Sequence, residues 1–305
     1  MHEMPDKAAI LMESLPWIKR NWGRTVVIKY GGAAMTDEAL RHSVAADIVL
    51  MKLVGFNPVV VHGGGPEITG YMDRLGMQVE FVDGLRVTSP EAMELVRMVL
   101  VGKVNGDIVS AINAHGRLAV GLAGDDGNLI RASAKDARLG RVGEVTHIDT
   151  TVVTKLIDDG FVPVIASVGA GDDGGSYNIN ADIVASEIAS ALGADKMIFL
   201  TDVDGLYADF SDKDSLISEI SVDDAESMLT SGSLAAGMLP KVNACVRAVR
   251  RGVERAFILN GTIPHALLLE VYTDEGVGTM ITADPAGLGL DDDATYAAYE
   301  GEVTL

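Results

Sequence analysis

Four short segments carry the residue types needed to handle an anion. Lys29 ends the apolar run Val26-Val27-Ile28 and is followed by Tyr30-Gly31-Gly32. A lysine leaving a buried strand points into the crevice beyond it. The glycines after it let backbone N–H groups approach a phosphate closely. His62-Gly63-Gly64-Gly65-Pro66 follows a second apolar run, Val59-Val60-Val61. Three bare residues and a helix-opening proline make a nest of N–H donors at the positive end of a helix. Asn178-Ile179-Asn180-Ala181-Asp182 opens another helix. There Asn180 also suits an N-cap and Asp182 a first-turn acid, so a purely structural reading stays open. Finally, Gly237-Met238-Leu239-Pro240-Lys241 places a lysine at a helix start, against the macrodipole. That unfavourable placement points to an anion nearby.

Other chemistries are excluded by what the chain lacks. Gly169-Ala170-Gly171-Asp172-Asp173-Gly174 has the spacing of a dinucleotide loop. The helical pattern begins only after Asn180, however, and two aspartates would repel a pyrophosphate. No P-loop and no His-Glu-x-x-His sequence occurs, and Asp202-Val203-Asp204-Gly205 lacks the later ligands of a calcium loop. The six histidines, at 2, 42, 62, 115, 147 and 265, have no ligand spacing. His62 adjoins the glycine loop without a catalytic assignment. One cysteine, Cys245, excludes an intramolecular disulfide and any multi-cysteine metal site; it reads as packing on the helix after Lys241. Trp17 and Trp22 read as packing or interface.

These segments need a scaffold that presents strand ends together. Residues 7–20 carry an amphipathic pattern that Pro16 should kink or break. From Thr25 onward the chain alternates strand and helix. Strands are expected at 26–28, 58–61, 118–122, 161–167, 197–201 and 256–259, with a glycine- and charge-rich hairpin region up to about 147. Helices are expected around Leu40–Met51, closed by Gly55, and around Ile68–Leu75. A long helix starting at Ser89-Pro90 carries the stripe Met93, Val96, Leu100, Val104, Ile108. Further helices fall near 150–159, 181–192, 222–230, 240–251 and 263–270. Such alternation predicts a mostly parallel sheet covered on both faces, with ligands at the carboxyl ends of its strands. Glycine makes up 34 of 305 residues, and many of these sit in strand-end turns rather than in a linker. The 24 basic and 44 acidic residues give a net charge of −20, which argues against nucleic acid and anionic membrane surfaces as partners. Charges interrupt the first 20 residues, and no apolar run is long enough to span a bilayer. A soluble cytoplasmic protein is the default, with the acidic segment 284–305 solvated or loosely docked.

In this order and spacing the four segments resemble the amino acid kinase family over roughly residues 22–283. Asp83-Gly84-Leu85-Arg86-Val87-Thr88 resembles its acetylglutamate-phosphorylating branch. The resemblance implies a three-layer αβα sandwich around a mainly parallel open sheet. It divides the chain into an oligomerisation helix (1–21), an amino-acid-substrate half (22–190), an ATP half (191–283) and a tail (284–305). It implies ATP-dependent phosphorylation of the γ-carboxylate of N-acetyl-L-glutamate, the second step of arginine biosynthesis. Lys29 and Lys241 would bind the transferring phosphoryl group, with Asp182 between them holding both ammonium groups. Gly31, Gly32, Gly64 and Gly65 would supply backbone donors to phosphate and substrate. Arg86 would take the substrate α-carboxylate and Asn178 would hydrogen-bond the acetylated amino acid. Thr201, Asp202, Gly205, Gly237 and Met238 would line the ATP site, with Mg²⁺ carried mainly by the nucleotide and no protein metal site. The kinked first helix and the segment 270–279 resemble arginine-inhibited hexamers, trimers of dimers, with Glu270 and Gly276 at the inhibitor site. The alternatives are a glutamate 5-kinase, aspartokinase, carbamate or UMP kinase, and a non-catalytic arginine-sensing module.

Overall fold

A computed structural model describes residues 11–283 except 210, 236, 274 and 275. Residues 7–10 of the expected first helix, the tail 284–305, and Asp274 and Glu275 within the 270–279 segment lie outside the described residues. In chain order, the strands of the two large sheets are β1 (Thr25–Tyr30), β2 (Asn57–His62), β3 (Ala119–Ala123), β4 (Ile130–Ala134), β5 (Gly143–Ile148), β6 (Val162–Ala166), β7 (Val168–Gly171), β8 (Ser176–Asn178), β9 (Lys196–Thr201), β10 (Glu219–Ser221), β11 (Arg255–Asn260) and β12 (Thr279–Thr282). The helices around them are α1 (Leu15–Asn21), α2 (Glu38–Leu53), α3 (Gly65–Arg74), α4 (Pro90–Arg97), α5 (Asn105–Asn113), α6 (Thr151–Asp158), α7 (Ala181–Leu192), α8 (Val222–Ser231), α9 (Leu239–Arg250) and α10 (Ala266–Tyr272).

Eight strands form one sheet in the order β10-β12-β11-β9-β1-β2-β6-β3. The six from β11 to β3 run parallel. Next to them β12 runs antiparallel to β11, and the edge strand β10 runs parallel to β12. Side chains along each strand alternate between two buried clusters. Val26, Ile28, Val60, Ile198 and Leu200 face the layer of α2, α3, α4, α5 and α10. Val27, Val59, Val61, Met197 and Phe199 face that of α7, α8 and α9. Burial on both faces explains why β9 reads as a nearly unbroken apolar run. The result is the expected αβα sandwich.

Most expected helices form where the capping residues allow. Asp37 accepts from the Leu40 N–H at 2.9 Å and Ser89 from the Ala92 N–H at 3.1 Å. Pro16 sits in the first turn of α1, after a break at Ser14, where its missing N–H costs nothing. The helix expected at 263–270 starts later. Asn260 Oδ1 accepts from the Thr262 N–H and hydroxyl, a local turn that delays entry until His265, which is held at φ 61°. His265 Nδ1 then meets Asp47 Oδ1 of α2 at 2.5 Å. The long helix after Ser89 is continuous but widened by a π segment, Met98–Val104. The hairpin region extends into a second sheet, β8-β7-β4-β5, whose later strands include the dinucleotide-like glycine sequence. There Asp172 and Asp173 are tied to Arg131 and Arg141.

Candidate active site

The carboxyl ends of β1, β2, β9 and β11 open on one edge of the sheet. Lys29 pairs in register with Val61, and Tyr30 with His62, so the first lysine lies beside the glycine loop. Its ammonium reaches Asp182 Oδ1 at 3.1 Å, with the two side chains only 12% and 8% exposed. Asp182 is placed by Asn180, whose Oδ1 accepts from the Asp182 and Ile183 N–H groups at the start of α7. Asn180 is thus the cap, and Asp182 is left to the lysine. Gly31 makes room for this pair: a Cβ there would stand 2.6 Å from Lys29 Nζ.

Lys241 sits in the first turn of α9 and donates to the Gly237 carbonyl at 3.4 Å. It makes no ion pair with Asp182 among the described residues, so the three-membered arrangement implied by the resemblance is formed on the Lys29 side alone. The helices that carry Asp182 and Lys241, α7 and α9, pack against each other. Burial and then Asp182 push the Cys245 thiol well above its ordinary value, while Lys241 pulls it down.

The glycine loop packs against α7 and the π segment. A Cβ on Gly63 would touch Ala181, and one on Gly64 would stand 2.8 Å from Leu100. At Gly65 the same position faces open space. No group among the described residues accepts from the Gly64 or Gly65 N–H, so both remain free as donors at the start of α3. His62 is fully buried and bonded through both ring nitrogens, to Gly63 O and Asn105 Nδ2.

Arg86 is buried yet makes no ion pair among the described residues. Its guanidinium donates to Gly65 O at 3.1 Å and Thr69 Oγ1 at 2.7 Å, and lies 4.8 Å from the Phe81 ring centre. Burial lowers its pKa from the ordinary value, with Asp73 opposing. Asn178 Nδ2 donates to Thr88 Oγ1 at 3.3 Å, and that hydroxyl donates to Arg86 O. Gly65, Arg86 and Asn178 are therefore brought together, with Thr69 and Thr88 as supports that spacing did not single out. A cation held only by neutral acceptors is suited to a carboxylate ligand.

On the other side, Thr201 ends β9 and donates to Asp202 Oδ1 at 3.1 Å. Asp204, not Asp202, is the more engaged acid, accepting from Tyr207 and Asn260. These hydrogen bonds hold its carboxyl below the usual range. Gly205 is required where it stands: at φ 157° a Cβ would come 2.4 Å from Thr279 Oγ1. Met238 is buried at the mouth of α9, with Gly237 exposed beside it. Among the described residues no group of three or more His, Cys, Asp or Glu side chains could hold a metal ion. The cations and free amides instead suit phosphate oxygens.

Glu270 and Gly276 also meet, beside the start of β12. Glu270 accepts from the Val277 and Gly278 N–H groups, while burial raises its carboxyl above the usual value. A Cβ on Gly276 would stand 3.1 Å from those oxygens. Sequence reasoning missed Lys196, whose ammonium is buried at the opposite end of β9 with no hydrogen bond or ion pair among the described residues. Burial, reinforced by Arg255, brings it down to about 8. A lysine opening an otherwise apolar strand was the available signal.

Comparison with known proteins accords with this geometry. Residues 24–260 match the model of the amino acid kinase family. An acetylglutamate kinase from Syntrophomonas wolfei is 54% identical over 90% of this chain and 97% of its own. One from Frankia alni is 50% identical over 98% and 89%. Among solved structures, N-acetylglutamate synthase from Neisseria gonorrhoeae superimposes with a TM-score of 0.80 at 24% identity, over 91% of this chain. The chain spans 63% of that synthase's length. Giardia carbamate kinase shares the fold, with a TM-score of 0.66 at 19% identity over 86% of this chain and 99% of its own. By its family match and by its relatives at half identity or more, this chain belongs to the amino acid kinase family.

Proposed function

We propose that this protein transfers the γ-phosphoryl group of ATP to the γ-carboxylate of N-acetyl-L-glutamate, forming N-acetyl-γ-glutamyl phosphate and ADP in the second step of arginine biosynthesis. The observation that carries this reading is Arg86, a buried guanidinium with no ion pair among the described residues, beside a loop of free amides. In the proposed reaction a carboxylate oxygen bonds to the γ-phosphorus as the bond to the β-phosphate oxygen breaks. The acceptor is already ionised at neutral pH, with a reference pKa near 4.3, so no general base is required. Lys29 and Lys241 neutralise the transferring group, and Asp182 keeps the Lys29 ammonium in place. The Gly31, Gly32, Gly64 and Gly65 N–H groups donate to its oxygens and hold the two anions in line. Mg²⁺, carried on the nucleotide phosphates, would offset further charge. Arg86 and Asn178 take the acceptor's α-carboxylate and acetamido group, and the loops at Thr201–Gly205 and Gly237–Met238 take the nucleotide.

The test is ADP release with N-acetylglutamate, glutamate, aspartate, carbamate and UMP, each with and without arginine. N-acetylglutamate is expected to be strongly preferred; a preference for another acceptor would reassign the Arg86 pocket. A chain with no turnover on any acceptor would favour the sensing module.

Arginine inhibition belongs to the same proposal. Glu270 offers a carboxylate to a guanidinium. The first helix packs near α10. In the proposed assembly, a hexameric trimer of dimers in the cytoplasm, that helix links copies and transmits the effect.

A further inference from the structure

His62 lies outside the roles assigned above, yet every hydrogen-bonding atom of its ring is engaged. The ring is fully buried, with Nδ1 2.9 Å from Gly63 O and Nε2 3.0 Å from Asn105 Nδ2. A carbonyl can only accept and an amide nitrogen only donate, so the neighbours fix one neutral tautomer, with the proton on Nδ1. Burial lowers the imidazole pKa to about 4, which keeps that form across the physiological range.

Asn105 is itself held in place. Its Nδ2 also donates to Val164 O at 2.9 Å. Its Oδ1 fills the space over Gly121, where a Cβ would come within 2.0 Å. Asn105 begins α5 immediately after the π segment, whose Leu100 and Val104 pack on Gly64. Local widening of a helix changes which residues face the sheet, and here it brings Asn105 to the ring while two apolar side chains brace the loop.

The Gly63–Gly64 peptide is trans, like every other described peptide bond. In a trans peptide the C=O and N–H point in opposite directions. Donation from Nδ1 to Gly63 O therefore turns the Gly64 N–H away from the ring, where no group among the described residues receives it. Glycine would otherwise let this peptide plane flip at little cost.

We propose that His62 is a positioning residue for phosphoryl transfer: through the Gly63 carbonyl it fixes the direction of the Gly64 N–H donor, and Asn105 fixes the His62 tautomer that makes this donation. The proposal rests on the kinase reading of the glycine loop. A wild-type chain inactive on every acceptor would remove that reading, whereas the variants below test His62 alone.

An asparagine amide can stand in for Nδ1, and a glutamine amide for Nε2. His62→Asn is expected to keep donation to Gly63 O and stay within about threefold of wild-type kcat. His62→Gln keeps a partner for Asn105 but loses that donation. Its kcat is expected to fall 10- to 100-fold with KM for both substrates nearly constant, since the donor acts where charge gathers during transfer. A space-filling role would lower melting temperature in both variants and would not separate their kcat values. Equal kcat in the two folded variants, or His62→Asn falling below His62→Gln, overturns the proposal. The wild-type enzyme provides a second readout through ¹⁵N shifts of the histidine rings. One ring should show the Nδ1–H tautomer with no titration between pH 5 and 8. An Nε2–H tautomer or a titrating His62 would overturn the proposal even if neither variant folded.

Discussion

Asp182 and Lys29 are nearly enclosed, while Lys241 is half-exposed, and this difference separates what their loss should do. Lys241→Ala is expected to lower kcat by about 10²–10³, the scale of losing one transition-state donor, with melting temperature unchanged. Near-full turnover would remove Lys241 from the mechanism. Asp182→Asn leaves the Lys29 ammonium enclosed without its countercharge. It should cost about 3 kcal/mol of unfolding free energy as well as activity, as measured by urea denaturation. Arg86→Lys keeps a charge but loses the planar fork. A rise of roughly 10- to 100-fold in KM for N-acetylglutamate is expected, with KM for ATP nearly constant. A different residue sets a pH dependence. Burial raises the Asp47 carboxyl to about 6, against the opposing effect of His265. A raised carboxyl favours the folded state when protonated, so its contribution is full below the unfolded value near 3.9 and is lost as pH rises through about 6. Relative to Asp47→Asn, the wild-type chain should lose about 3 kcal/mol of stability between pH 4 and 7 and little beyond. A constant difference across that range would contradict this.

At the scale of elements, a strand end and the turn after it act as one device. Gly31→Ala places a methyl group against the flexible end of Lys29 rather than against backbone. Melting temperature should hardly change, but the ammonium must move, and kcat is expected to fall 10- to 100-fold. This logic also separates what the sequence revealed from what it hid. Lys29, the glycine loop and Lys241 stood out as candidates because each lies in a short segment whose types and spacing suit an anion, whereas the pairing of Asp182 with Lys29 was implied by the resemblance. Arg86, Asn178, Glu270 and Gly276 came from family resemblance alone, and only the fold shows which of them meet. Capping residues such as Ser89 and Asn180 marked helix starts. The π segment left the apolar stripe of the long helix intact, so periodicity could not reveal it. Strands β10 and β12 are only three and four residues long; they pair with each other, and β12 with β11, across large sequence separations. Nothing local marks them. Lys196 was hidden for the opposite reason, because a single charged residue does not disturb the reading of an apolar strand.

At the scale of the molecule, both segments of the chain contribute strands to one continuous sheet, joined where β1 pairs with β9. The loops proposed for acceptor and nucleotide are therefore carried on one support, and β9 runs from Lys196 at one edge to Thr201 at the other. If the first helix links copies, deletion of residues 1–20 should abolish arginine inhibition and reduce the assembly in sedimentation while kinase turnover persists. Unchanged inhibition would sink that part of the proposal. The single cysteine adds an experimental handle. Cys245 lies one helical turn beyond Lys241, has no exposed surface, and is the chain's only thiol. A thiol-specific reagent therefore has one target, reachable only when the contact between α7 and α9 opens. The labelling rate becomes a clock for the breathing of the proposed catalytic edge, readable in unmodified protein and without background. Slowing of that clock by nucleotide would measure how tightly a ligand clamps the two helices.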